Sequence, residues 1–472
     1  MRLLVRCVAV MLAMMLCIST ACAEIALVPR ASEWDFSQPM DITVTAQVNA
    51  HMPLDEVRCG QLNDMLQHVS MKLSTFTGEN ESLGRMALLV DDQQAFALTA
   101  RSHDGGSELR FSTEENVVFT ADGDGLNAWF GLSAPVSLSY GKELMEGLEQ
   151  AREMFCGMRD SLKEYGKTTS IKTAIKDMGT AWKKVFYTVP SSEAEFFRTA
   201  AMTHCPLGTW RTFLNELTFT GTQKLIFWLT SDDQVLRVEY AGNCETETSG
   251  LRKVSMIWRM RRDNIIRDDI VLKTPSVKGN DYNTLNFDRE VISGKGGKVT
   301  LNMDLNYAWK LGQERDKLTA TVDLTGQTKE EATTLSGKAS FSRLMDDGKS
   351  ESGLHIMPDL LIENAGSVPA ISGTLGVQQF QGKNILEDAI LSIQAGPGSA
   401  VPWEEPERTA AITSMTAEEK KAVSRRLSAE LISRLVLLSD GHAAFLSADL
   451  SAEAWQRIVD AAQKRLGEEV SP

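Results

Sequence analysis

Residues 299–311 read Val-Thr-Leu-Asn-Met-Asp-Leu-Asn-Tyr-Ala-Trp-Lys-Leu. Every odd position from Val299 to Leu311 is apolar, and every even one from Thr300 to Lys310 is polar or small. Side chains of a strand alternate between its two faces, so this period of two predicts a strand with one dry and one wet face. The pattern spreads outward. Leu318, Ala320, Val322 and Leu324 alternate with Thr319, Thr321, Asp323 and Thr325, and Val254, Met256, Trp258 and Met260 do the same upstream. Turn-forming stretches fall at Arg262–Asn264, Gly294–Gly297, Gln313–Asp316 and Asp346–Gly348. Together they predict an antiparallel meander over 217–395.

An internal repeat is legible as well. Thr75-Phe76-Thr77-Gly78 recurs as Thr218-Phe219-Thr220-Gly221, Asp91-Asp92-Gln93 as Asp232-Asp233-Gln234, and Ser107, Leu109, Arg110 as Ser249, Leu251, Arg252. The order is kept and the offset is nearly constant, which argues for duplication of a unit made of a helix and β-hairpins. The Asp-Asp pairs sit between apolar runs, where Asp favours turn geometry and resists burial.

Between the copies, 140–216 reads as helical, with Leu144, Leu148, Ala151 and Phe155, then Ile171, Ala174, Ile175 and Met178, at near-helical spacing. Gly396 to Arg408 is rich in Pro and Gly and reads as a linker. Beyond it, Thr416 with Glu419 forms a capping box, and Val423, Leu427, Leu431 and Leu435 make the apolar stripe of a helix. Trp455, Ile458, Val459 and Leu466 make another. The expected organisation is a signal peptide over 1–23, a first α+β repeat over 24–139, and a helical segment over 140–216. A second repeat extended into a long sheet over 217–395, a linker over 396–410 and terminal amphipathic helices over 411–472 complete it. The expected fold class is α+β, a large antiparallel meander whose apolar face is covered by helices, the terminal pair being the obvious cover.

Composition bounds the partners. With 472 residues, 43% hydrophobic and 24% charged, the chain is an ordinary globular one, and a net charge of −14 leaves no basic surplus for nucleic acid. Arg2 and Arg6, the apolar run Val8 to Ile18 and the small residues Ala21-Cys22-Ala23 read as an export signal cleaved before Glu24. A lipid anchor at Cys22 is the alternative. The expected location is therefore secreted or extracytoplasmic, and the mature chain is expected not to be an integral membrane protein. Its helical blocks and helical C-terminus argue against an outer-membrane barrel, whose signature is alternating strands. Four cysteines remain, Cys59, Cys156, Cys205 and Cys244, an even number that permits two disulfides outside the cytoplasm. Pairing Cys59 with Cys156 and Cys205 with Cys244 closes the shorter loops.

Short catalytic signatures are missing. There is neither a G-x-S-x-G elbow nor an H-E-x-x-H zinc helix. Ser139 to Lys142 matches S-x-x-K without its companion K-T-G, Gly376 to Asn384 departs from a P-loop in spacing and in its last residue, and Asp122 to Asn127 lacks the distal Glu of a calcium loop. No catalytic, cofactor-binding or metal-binding residue is assigned, and no cofactor is expected. The expected role is that of a non-catalytic secreted or cell-envelope protein that binds an apolar ligand or an envelope partner, or is structural. An extracellular hydrolase without a short signature is the alternative reading.

Overall fold

The computed structural model describes residues 38–468 except 51–54, 78–80, 104–105, 113–116, 122–139, 206–208, 247–249, 278, 345–350, 364–367, 400, 402, 404–407 and 439–450. The export signal lies outside the described residues. The chain divides into two compact units, one formed mainly by 138–329 with 335–355, the other by 32–137 with 330–334 and 356–472.

The first unit is a meander of consecutive antiparallel strands. It runs β7 (Gly166–Ile175), β8 (Gly179–Val189), β9 (Thr218–Leu229), β10 (Val235–Thr246), β11 (Gly250–Arg262), β12 (Ile265–Lys273), β13 (Tyr282–Ser293), β14 (Lys298–Leu311) and β15 (Glu314–Lys329). Each of these strands pairs with the next. Strand β16 (Ala332–Leu344) follows. There Gly337 takes a φ of 141°, and a Cβ at that position would lie 2.0 Å from the carbonyl oxygen of Asp323, so only glycine lets the two backbones approach. Helices α2 (Tyr140–Ser161) and α3 (Ala194–His204) belong to this unit and pack on one face of its sheet.

In the second unit, β1 (Met40–Val48) lies between β19 (Asn384–Pro397) and β2 (Val69–Thr77), antiparallel to both. The ladder continues through β3 (Glu81–Val90), β4 (Gln93–His103), β5 (Gly106–Phe111) and β6 (Val117–Ala121), and β20 (Arg408–Ala411) adds in parallel to β6. Strand β18 (Ala370–Gln381) flanks β19 on its other side. Helix α1 (Glu56–Leu66) starts at the Asp55 cap, whose carboxylate accepts from the Arg58 N–H. The terminal helices α5 (Ala417–Leu438) and α6 (Ala452–Glu468) belong to this unit, helix α4 (Thr209–Glu216) belongs to the first, and strand β17 (Glu351–Glu363) has residues in both. The Thr416 capping box forms: its N–H donates to Glu419 Oε2 at 2.8 Å and its hydroxyl accepts from the Glu419 N–H at 3.2 Å.

The α+β class is corrected. The described residues form twenty strands in one sheet, and helices are a minority. Two local competitions explain the difference. The near-helical spacing of Ile171, Ala174, Ile175 and Met178 lies in the β7–β8 hairpin: β-branched Thr168, Thr169, Ile171 and Thr173 favour a strand, and Asp177 at φ 61° turns the chain into Gly179. The terminal helices pack within the second unit. Val436 of α5 packs against Val459 and Ala462 of α6, and Val423 of α5 packs on Leu109, Phe111 and Phe119 of the second unit.

The repeated motifs land on corresponding turns but on unlike strands. Asp91 and Asp92 close β3–β4 with φ of 48° and 62°, and Asp233 closes β9–β10 with φ of 66°. Thr75–Thr77 ends β2, whereas Thr218–Thr220 opens β9.

A buried ionic cluster fastens α2 to the meander. Asp268 of β12 is fully buried and accepts from Trp258 Nε1 at 2.9 Å, Arg262 Nη2 at 2.8 Å and Arg289 Nη2 at 2.6 Å. Arg262 Nη2 also donates to Glu149 Oε1 of α2 at 2.9 Å. Removing the carboxylate strands two guanidiniums in the core, so Asp268→Ala is expected to destabilise this unit by about 3–5 kcal/mol. Lys183→Ala, at an exposed pair with Asp233, should cost no more than about 1 kcal/mol. Urea unfolding of the two variants measures the contrast, and equal costs would contradict the assignment.

Candidate functional site: an incompletely covered apolar face

Alternation puts Phe287, Arg289 and Val291 of β13, the odd residues 299–311 of β14 and Leu318, Ala320, Val322 and Leu324 of β15 on one face. The register pairs Leu301 with Val291 and Leu324, Leu305 with Phe287 and Ala320, and Tyr307 with Leu285 and Leu318. Helix α2 lays Leu148, Ala151, Met154 and Met158 on this face, and α3 adds Phe197, Ala200 and Ala201. Beneath them lie Leu225, Phe227, Val238, Trp258, Ile270 and Phe287. Phe155 meets Trp258 edge-on, with centroids 6.4 Å apart.

Exposure rises along β14 toward Leu311. Val299 and Leu301 are buried, while Leu285, Met303 and Leu305 are only partly buried where they meet the helix-covered core. Tyr307 and Trp309 are half-exposed, and Leu311 is 53% exposed. Leu318, the partner of Tyr307, is 42% exposed. Phe341 of β16, 41% exposed, joins them: Ser342 bonds Thr319 on the wet face, so its neighbour Phe341 takes the dry one. This end of the face thus carries Tyr307, Trp309, Leu311, Leu318 and Phe341 together with charged neighbours, Glu314 opposite Leu311 and Asp316 opposite Trp309, the latter accepting from Arg343 Nε at 2.7 Å. Sequence reasoning found the β14 row but not Phe341, whose strand has the weak pattern Ala339-Ser340-Phe341-Ser342-Arg343.

The four candidate disulfide cysteines are free thiols. Cys59 Sγ donates to the carbonyl of Val48 at 2.9 Å, in the second unit. Cys205 and Cys244 belong to the apolar core of the first unit, and burial pushes both thiols above the ordinary range. Cys156, half-buried in α2, is pushed up for the same reason. No disulfide joins the expected pairs Cys59–Cys156 and Cys205–Cys244 in this structure, and Cys205 and Cys244 serve as small apolar core groups.

Two histidine pairs emerge that spacing could not reveal. Ser161 Oγ lies 2.8 Å from His204 Nε2, and His68 Nδ1 lies 2.6 Å from Asp91 Oδ1. The first pair belongs to the first unit and the second pair to the second. The P-loop-like segment is the β18–β19 turn, with Gly382 at φ 60°. Asp122–Asn127 and Ser139 lie outside the described residues. Among the described residues, no group of His, Cys, Asp or Glu could hold a metal, and no helix is long and apolar enough to cross a membrane.

No protein-family model and no curated protein matches this chain. Among solved structures, OmpT of Vibrio cholerae, an outer membrane protein, aligns at 6% identity with a TM-score of 0.23, over 76% of this chain and 95% of that one. Its loop L8 deletion mutant aligns at 6% identity with a TM-score of 0.24, over 76% and 97%. The outer membrane channel DcaP of Acinetobacter baumannii aligns at 6% identity with a TM-score of 0.25, over 76% and 94%. All three are outer membrane proteins, whereas the mature chain is expected not to be an integral membrane protein; that expectation is not carried further.

The thiol assignment predicts slow chemistry. A raised thiol pKa leaves less thiolate at neutral pH, so native alkylation of Cys205 and Cys244 should lag far behind that in urea and accelerate only well above the ordinary thiol range. Peptide mapping after iodoacetamide labelling reads this directly. Fast native labelling, or a Cys205–Cys244 disulfide in non-reduced material, would contradict it.

Proposed function

We propose that the chain is a cell-envelope binding protein that holds an apolar, lipid-like ligand against the bare end of its sheet face. The carrying observation is the gradient along one strand, from Leu301 at 3% exposure to Leu311 at 53%. A row selected only as core would end where its helical cover ends. Here alternation continues past Leu305, and Trp309, Leu318 and Phe341 enlarge the surface sideways. Exposed apolar patches of this kind mark binding sites. The export-signal reading of the first 23 residues supports an extracytoplasmic setting, and a sheet floor presents the patch without reorganisation.

Magnitudes select the ligand. Burying one methylene is worth about 0.8 kcal/mol, while association costs about 4–15 kcal/mol. A chain of about ten methylenes therefore barely offsets the cost, and a long acyl chain fits the reading better than a small apolar metabolite.

Native mass spectrometry of protein purified from its own host should show a mass beyond that of the polypeptide, released by organic extraction. The double variant Trp309→Glu, Leu311→Glu should fold, because both sites are partly exposed, and lose that mass. A clean polypeptide mass for the wild type overturns the proposal.

A further inference from the structure

The opposite, wet face of the same unit carries a second site of different chemistry. The tip of the β7–β8 hairpin stands beside it and, with the sheet, walls an open cleft of about 460 Å3. Thr173 to Met178 form the wall, and Trp228, Arg237, Arg259, Arg267, Asp269 and Asp288 form the floor. The wall is anchored apolarly, since Ile175 and Met178 pack with Ala181, Leu236 and Trp228. It is also anchored by charge, Asp177 Oδ2 lying 3.5 Å from Arg267 Nη1. The volume falls within the usual range of small-molecule sites.

The floor has an ordered polarity. Register places Arg237 opposite Arg259, Arg259 opposite Asp269, and Asp269 opposite Asp288. Two cations are followed by two anions across four adjacent strands. Like charges directly opposite are destabilising, and alternating signs would serve folding better. The internal pairs neutralise this row only in part. Arg259 Nη1 donates to Asp269 Oδ2 at 2.6 Å, Arg267 Nη2 donates to Asp288 Oδ2 at 2.8 Å, and Arg237 Nε lies 3.0 Å from Glu239 Oε1. Among the described residues, both terminal nitrogens of Arg237, Nη2 of Arg259 and the Oδ1 atoms of Asp269 and Asp288 have no partner. Unpaired terminal donors of Arg237 and Arg259 thus lie at one end of the floor and unpaired Oδ1 atoms of Asp269 and Asp288 at the other, where Arg267, bonded to Asp288, also has its Nε buried without a hydrogen-bond partner. Trp228 stiffens the donor end, with Lys184 Nζ 4.1 Å and the Arg237 guanidinium 5.4 Å from its ring centre, while its Nε1 donates to Glu239 at 2.6 Å.

We propose that this cavity binds a small zwitterion carrying a carboxylate and an ammonium group, the class of free amino acids and short peptides. The carboxylate meets Arg237 and Arg259, whose forks suit a planar anion. The ammonium meets Asp269 and Asp288. A phosphate or other pure anion is disfavoured, because any position reaching the guanidiniums also faces the two aspartates, and a pure cation is disfavoured by the converse.

The test is calorimetric titration of the full chain with each common amino acid and with alanyl-alanine. Where a zwitterion binds, its C-terminal amide and its N-acetyl form should each bind about tenfold weaker or less, the equivalent of about 1.4 kcal/mol. Arg237→Gln and Asp288→Asn should each weaken the parent ligand by a similar factor, with the first variant restoring relative preference for the amide and the second for the N-acetyl form. Asp288, at 38% side-chain exposure, is the safer position for folding, and the ligand derivatives test the wild type alone. Absence of heat with every amino acid and with the dipeptide overturns the proposal. So does binding that is indifferent to the loss of either ligand charge.

Discussion

An amphipathic sheet must hide its dry face, and the first unit is organised by how far it does so. Alternation along β9 to β15 sends every second side chain to one side, with no freedom to choose position by position. Helices α2 and α3 cover that side as far as Met303 and Leu305. The Asp268 cluster sets where α2 lies, because Glu149 reaches Arg262 and Arg262 reaches the buried carboxylate. A polar cluster in an apolar core adds little net stability, but misplacing the helix would strand charges, so it specifies position.

The two faces of this sheet carry unlike chemistry. Asp268 and Arg289 on the dry side are fully bonded and serve the fold. One residue along each strand, Asp269 and Asp288 on the wet side keep free oxygens and line a cavity. A period of two thus lets adjacent carboxylates, Asp268 and Asp269, take unlike roles, one set by burial and the other by access.

Much of the fold was legible wherever alternation was unbroken. The rows of β11, β14 and β15 lie where period-two reading placed them, as do the Asp-Asp hairpins and the Thr416 cap. The reading failed where a short segment satisfied two periods at once. Ile171, Ala174, Ile175 and Met178 fit a helix by spacing, but threonines and the Asp177–Gly179 turn favoured a hairpin, and that hairpin walls the cavity. Strand β1 pairs with β19 from the far end of the chain, a long-range match that no local pattern encodes. The bare patch was half visible, since the sequence displays the apolar row but not the reach of its cover. The charged cavity floor was invisible for a related reason: its charges come from four strands and a turn, and only register brings them into one row.

The central claim is that the dry face is covered to Leu305 and bare beyond it, and that a lipid-like ligand occupies the bare end. Photolabelling of the native full chain with a diazirine fatty acid, mapped by peptide mass spectrometry, tests this most directly. The account predicts crosslinks concentrated on Tyr307–Leu318 and on the Phe341 peptide, competed by unlabelled fatty acid. Labelling spread evenly over other exposed apolar residues such as Val57, Val277 and Ile432, without competition, would contradict it.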